Sequence, residues 1–167
     1  NGLSDLKGIS LDGDTVCIGA LTRHVEVMNS DIVTEHLPLI AEAMPHVAHV
    51  AIRNRGTIGG SVALADPAAE MPACILALGA TLVVQGSAGK REIPAEEFFH
   101  GIYETARAEN ELLVQIRIPS QKADKVSVFL ELARRHGDFA IAGIAAYGSV
   151  SGDTVNDMRL VYFASED

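Results

Sequence analysis

Arg53-Asn54-Arg55-Gly56-Thr57-Ile58-Gly59-Gly60-Ser61-Val62-Ala63 is the stretch on which the reading of this chain turns. Up to Ser61 it is too rich in glycine for a helix and too polar for a core strand, so it predicts a loop. Paired glycines let the backbone pass close to a ligand, and successive N–H groups in such a loop form a concavity suited to a pyrophosphate. Thr57 and Ser61 add hydroxyls able to donate to phosphate oxygens. Between Met44 and Asp66 there is no acid, while Arg53 and Arg55 are present, so the window tolerates an anion. Met71 to Arg91 is equally free of acids, and a tight turn between packed elements explains the same residues. The pattern is neither a P-loop, which needs a lysine after its glycines, nor the dinucleotide fingerprint of a βαβ unit.

Upstream, Thr15-Val16-Cys17-Ile18 predicts a strand after the turn Asp12-Gly13-Asp14. Thr22 is placed to cap a helix running through Val25, Val27 and Met28. Leu37, Ile40, Ala41, Met44 and Val47 are spaced for a second helix, which Pro38 suits in its first turn and Pro45 divides. Downstream, Asp66-Pro67 marks the start of an apolar helix from Ala68 to Leu78, with Gly79 as its stop. Residues 81–84 and 91–94 flank Gly86-Ser87-Ala88-Gly89 as a hairpin. A short helix over Pro94–Phe99 and a strand over Leu112–Ile118 follow. Strand-like runs over 126–133, 140–150 and 155–163 complete an α+β chain, with polar residues Ser120–Asp124 as a candidate boundary.

Composition narrows the function classes. Hydrophobic residues make up 48% and charged ones 21%, and 13 Lys+Arg against 22 Asp+Glu leave a formal charge of −9. Such acidity disfavours nucleic acid and anionic membrane as partners, and no run has the length of a membrane span. Two cysteines, Cys17 and Cys74, are too few for a disulfide framework or a metal site and read as buried thiols. His46 and His49 lie three apart without acids to complete a metal site. These features predict a soluble, cytoplasmic protein. The chain opens without Met and closes just after the apolar run Leu160-Val161-Tyr162-Phe163, which predicts a piece of something longer.

The run from Arg53 to Ala63, continued by Ala65-Asp66-Pro67-Ala68-Ala69-Glu70-Met71-Pro72, resembles the second FAD-binding motif of the molybdenum hydroxylases. The resemblance is to the flavin-binding medium subunit of the aerobic carbon monoxide dehydrogenase type, a relative of the xanthine dehydrogenase flavin domain. Arg134-Arg135-His136-Gly137-Asp138-Phe139-Ala140-Ile141-Ala142-Gly143 is similar to the opening of that family's C-terminal domain, and Leu112–Pro119 to the strand before it. The resemblance implies an α+β fold: residues 1–119 as the second part of a PCMH-type FAD-binding domain, and 126–167 as the start of a small α/β C-terminal domain. It implies FAD as cofactor, with the molybdenum cofactor on a large partner subunit and 2Fe–2S clusters on a small one. Electrons would pass from those clusters through FAD to an external acceptor, and this chain would supply no substrate-oxidising residue and no metal ligand.

Residue by residue, Thr57, Ile58, Gly59, Gly60 and Ser61 match the loop that wraps the FAD pyrophosphate and ribityl chain. Glu70 matches an acid directed at the flavin's polar chain, and Leu113 an apolar residue against the isoalloxazine ring. By themselves these two residues read equally as a first-turn helix acid and as ordinary core. The family's first FAD motif, an Ala-Gly-Gly type loop, is absent, and Leu130 and Glu131 stand where some relatives carry a lysine near the flavin. Two other readings compete. One is a cofactor-free module that binds partner subunits. The other is a flavin-dependent enolpyruvyl sugar nucleotide reductase, disfavoured because Ser61–Pro67 lacks that enzyme's Asn-Ala-Gly type continuation.

Overall fold

The computed structural model describes residues 3–165. Its first sheet has five antiparallel strands in the order β1-β2-β7-β3-β4. These are β1 (Ile9–Asp12), β2 (Thr15–Gly19), β3 (Thr81–Gly86), β4 (Gly89–Pro94) and β7 (Leu112–Pro119). β7 is central, its Ile116 opposite Ile18 on one side and Leu82 on the other. Those side chains are fully buried and form the floor of the core.

Short helices cover this sheet: α1 (His24–Met28), α2 (Asp31–His36), α3 (Pro38–Ala43), α4 (Val50–Arg53), α5 (Ile58–Leu64) and α6 (Glu70–Leu78). A further short helix, α7 (Ala95–Phe98), leads into the small ribbon β5 (Phe99–Gly101) and β6 (Glu104–Thr105). A second antiparallel sheet, β10-β9-β8, comprises β8 (Lys125–Ala133), β9 (Ala140–Ser151) and β10 (Thr154–Phe163). α6 lies between the two sheets. It packs on β9 and β10, and also on α3, α5 and β7. Every residue of α6 except Leu76 is buried, as expected of a helix that is apolar on all faces. Phe129, Ala145 and Phe163 of the second sheet join the same core, Phe129 stacking on Phe163 with ring centroids 5.6 Å apart. The Phe129 N–H also donates to the Glu42 carboxylate at 3.2 Å. Cys17 and Cys74 are free and buried.

Several local expectations shift. The expected 53–61 loop is instead the end of α4, a turn, and the start of α5. Thr57 caps α5, its Oγ1 accepting the Gly60 N–H at 3.1 Å. Ile58 and Val62 give the helix a buried face, and that packing outweighs the poor helix propensity of its glycines. Gly59 is there for contact: a Cβ would overlap the Ala20 side chain and lie 2.5 Å from the Ala20 carbonyl oxygen. Thr22 does not cap α1; its hydroxyl accepts from the Gly8 N–H and donates to the Gly8 carbonyl, and Glu26 accepts the Arg23 N–H at 2.7 Å instead. Asp66 takes the Ala68 N–H at 2.9 Å in a turn, so α6 begins at Glu70. β1 carried no strong strand signal and forms because it pairs with β2.

The glycine pair should therefore separate by substitution. Gly59→Ala forces α5 away from Ala20 and should cost about 2 kcal/mol or more in urea unfolding. Gly60→Ala adds a Cβ that meets only the Thr57 hydroxyl, at 3.0 Å. Its stability should stay within about 1 kcal/mol of the unsubstituted protein.

Candidate functional site

A cleft of about 840 Å³ opens where α1, α4, α5 and the start of α6 meet the β8–β9 connection. Its glycine-rich wall is Gly56, Thr57, Gly60 and Ser61, continued along α5 by Leu64. The free N–H cradle expected of this stretch is not formed. The Ile58 N–H donates to the Thr22 carbonyl and the Gly59 N–H to the Ala20 carbonyl, both at 3.0 Å, and the Gly60 N–H is held by Thr57. What this wall offers a ligand is the hydroxyls of Thr57 and Ser61 and the bare face of Gly60.

The opposite wall comes from far along the chain: Arg134, Gly137, Asp138, Phe139 and Ile141. It is seated by Gly137, whose φ of +85° suits glycine and whose missing Cβ would lie 2.6 Å from His49 Nδ1 and 2.8 Å from the Ala48 carbonyl. The Arg53 guanidinium sets the position of that receiving loop. Buried rather than aimed at an anion, its Nη1 donates to the carbonyls of Pro45, Val47 and Ala48 at 3.3, 2.8 and 2.6 Å.

Ile52, Leu64, Phe139 and Ile141 line the cleft yet remain more than half exposed, Phe139 at 74%. Together these side chains give the cleft an apolar wall that is open to a ligand. Two buried ionisable groups complete the lining. Burial pushes the Glu70 carboxyl up to about 7; its own backbone N–H opposes the shift, and the charges of Glu131 and Asp66 add to it. Burial also lowers His24 to about 4, with help from the Arg53 charge.

Of the residues expected to hold a cofactor, Thr57, Gly60, Ser61 and Glu70 line the cleft. Ile58 and Gly59 lie beneath it in the core. Leu113, 7% exposed in β7, packs in the core and is not part of the lining. His24, Asp66 and the apolar group around Phe139 carried no site assignment from sequence. Phe139 and Ile141 fall within the second quoted motif, whereas nothing in the spacing distinguishes His24 from the other histidines. Among the described residues, no group of three or more His, Cys, Asp or Glu is placed to hold a metal ion. No helix there is long and apolar enough to cross a membrane.

Residues 1–121 match the family described as the FAD binding domain in molybdopterin dehydrogenase. This chain belongs to that family. Among its relatives, the carbon monoxide dehydrogenase medium chain of Hydrogenophaga pseudoflava is 41% identical over 96% of this chain and 56% of its own length. The caffeine dehydrogenase subunit beta of a Pseudomonas species is 43% identical over 87% and 50%, and the glyceraldehyde dehydrogenase medium chain of Sulfolobus acidocaldarius 35% over 100% and 59%. Among solved structures, carbon monoxide dehydrogenase from Hydrogenophaga pseudoflava superposes with a TM-score of 0.94 at 42% identity, covering 98% of this chain and 57% of that one. Quinoline 2-oxidoreductase from Pseudomonas putida 86 gives 0.91 at 38%, with the same coverage. The chain thus spans between half and three-fifths of the length of these relatives.

The cleft fits the family's cofactor on its own chemistry. Exposed apolar side chains suit a flat ring system, hydroxyls and a bare glycine suit a polar chain, and Arg134 adds a cation. Glu70 gives the cleft a measurable signature. Its carboxyl is raised in the folded state, so its contribution to stability is complete below about pH 4.5 and is lost as pH rises through about 7. His24 has the opposite sign, contributing above pH 6.5 and losing that contribution as pH falls through about 4. Glu70→Gln should therefore match the unsubstituted protein at pH 4.5 and exceed it by roughly 2–3 kcal/mol at pH 8 in denaturant melts.

Proposed function

We propose that this chain is part of the flavin subunit of a molybdenum-dependent dehydrogenase and holds FAD in the cleft described above. The observation that carries the reading is the convergence on one cleft of Gly56–Ser61 and Arg134–Ile141, the two stretches that resemble the family's motifs. When bound, FAD supplies a redox centre able to accept electrons singly and release them in pairs. The chain's own residues bind and orient. Thr57 and Ser61 donate to oxygens of the polar chain, and Glu70, poised near neutrality, either donates to such an oxygen or accepts from a hydroxyl. Ile52, Leu64, Phe139 and Ile141 cover apolar ring surface and exclude water from it.

In this reading the electrons arrive from 2Fe–2S clusters on a small partner subunit, fed by a large subunit with the molybdenum cofactor, and leave to an external acceptor. The work is cytoplasmic. Residues 1–119 form the second part of the FAD-binding domain and 126–167 open the C-terminal one. The outward side chains of β8, Val126, Val128, Leu130 and Leu132, are all exposed, which suits a sheet face covered by further elements of that domain. The oxidised substrate is selected elsewhere: relatives of comparable identity are named for carbon monoxide, caffeine and glyceraldehyde.

Titration of the full-length protein with FAD, followed by flavin fluorescence and absorbance, tests this. Saturable binding is expected. Gly60→Leu, which fills the cleft from its glycine wall without reaching the core, should weaken binding by about a hundredfold or more, the equivalent of nearly 3 kcal/mol. A protein that binds partner subunits but never FAD would instead be a cofactor-free interaction module.

A further inference from the structure

Among the described residues lining the cleft, His24 carries a buried polar atom that the fold leaves without a partner. It begins α1, where its N–H donates to the Gly56 carbonyl at 3.0 Å, and its ring lies against Gly56. A Cβ at Gly56 would sit 3.0 Å from His24 Cδ2 and 3.5 Å from Nε2, so the imidazole occupies the space that glycine leaves open. The residue is 4% exposed, lines the cleft, and its Nδ1 is buried without a hydrogen-bond partner.

A buried imidazole with no carboxylate beside it, and with the Arg53 charge nearby, is held neutral. A neutral ring has one N–H and one lone pair. A proton on Nδ1 would strand a donor in the core, and orphaned donors are the rarer and costlier defect. The proton therefore sits on Nε2, on the side of the ring nearer Gly56. We propose that His24 is a ligand of the cofactor, its neutral imidazole donating the Nε2–H to an oxygen of the bound dinucleotide beside Gly56 and Thr57. Arg53 acts through it as a positioning residue, fixing the 45–48 loop and keeping the ring uncharged. This inference rests on the assignment of FAD to the cleft.

The test uses the full-length protein. FAD dissociation constants are measured for the wild type and for His24→Phe, His24→Gln and His24→Asn. The glutamine amide can reproduce a donor at Nε2, the asparagine amide one at Nδ1. Phenylalanine and asparagine should each weaken FAD binding by about tenfold, the loss of one hydrogen bond to a strongly accepting oxygen, while glutamine should stay within about threefold of wild type. Nitrogen-15 NMR of histidine-labelled wild-type protein provides a readout that needs no variant to fold. It should find the Nε2–H tautomer at pH 7 and a shift of that resonance at FAD saturation. Variants that all bind like wild type, a glutamine variant as weak as phenylalanine, or an Nε2 signal indifferent to FAD would each overturn the proposal. Wild type that does not bind FAD would overturn the parent reading as well.

Discussion

Gly59 and Ala20 touch backbone to backbone, and the position of the cleft follows from that contact. β2 ends at Gly19, and the turn after it offers the Ala20 and Thr22 carbonyls to the first N–H groups of α5. Those two bonds draw the helix so close to the sheet that no side chain fits at position 59. With α5 pinned on this side, Thr57, Gly60 and Ser61 face outward and form one wall. The glycine pair is thus two residues with different surroundings: one admits a neighbouring chain segment, the other leaves a bare face on the cleft.

The opposite wall depends on charge and carbonyls rather than on apolar fit alone. Arg53 gathers three backbone carbonyls of the 45–48 loop, and Gly137 settles on that loop against His49 and Ala48. The same guanidinium lies near His24 and disfavours its protonation. Glu70, at the first turn of a helix buried on every side, pays for its position with a carboxyl reluctant to ionise. Ionisable groups displaced in opposite directions within one cleft are a common property of functional sites.

Much of the architecture was legible because its signals are local. The 81–94 hairpin, the stop at Gly79, β7 and the three strands of the second sheet all announce themselves through alternation and turn residues. α5 did not, since its glycines argue against a helix and the contact that requires them comes from Ala20, far back in the chain. The same distinction runs through the cleft. Thr57, Gly60, Ser61 and Glu70 lie in one recognisable stretch. His24 acquires meaning only beside Gly56 and Arg53, and the exposed apolar group of Ile52, Leu64 and Phe139 exists only once both sheets are in place. Leu113, matched by motif position, is 7% exposed in β7 at the centre of its sheet and lies outside the cleft lining.

The burial of α6 between two sheets bears on the order of events during synthesis. The helix cannot bury its full circumference until β9 and β10 exist, and the cleft lacks its Phe139 wall until β8 has turned into β9. Contacts of such long sequence separation form late, after the local hairpins and helices. The chain up to the start of α6 contributes His24, Ile52, the glycine wall and Glu70 to the cleft, but not the side formed by Arg134 to Ile141. The cleft is therefore a product of long-range packing, complete only after the second sheet has formed.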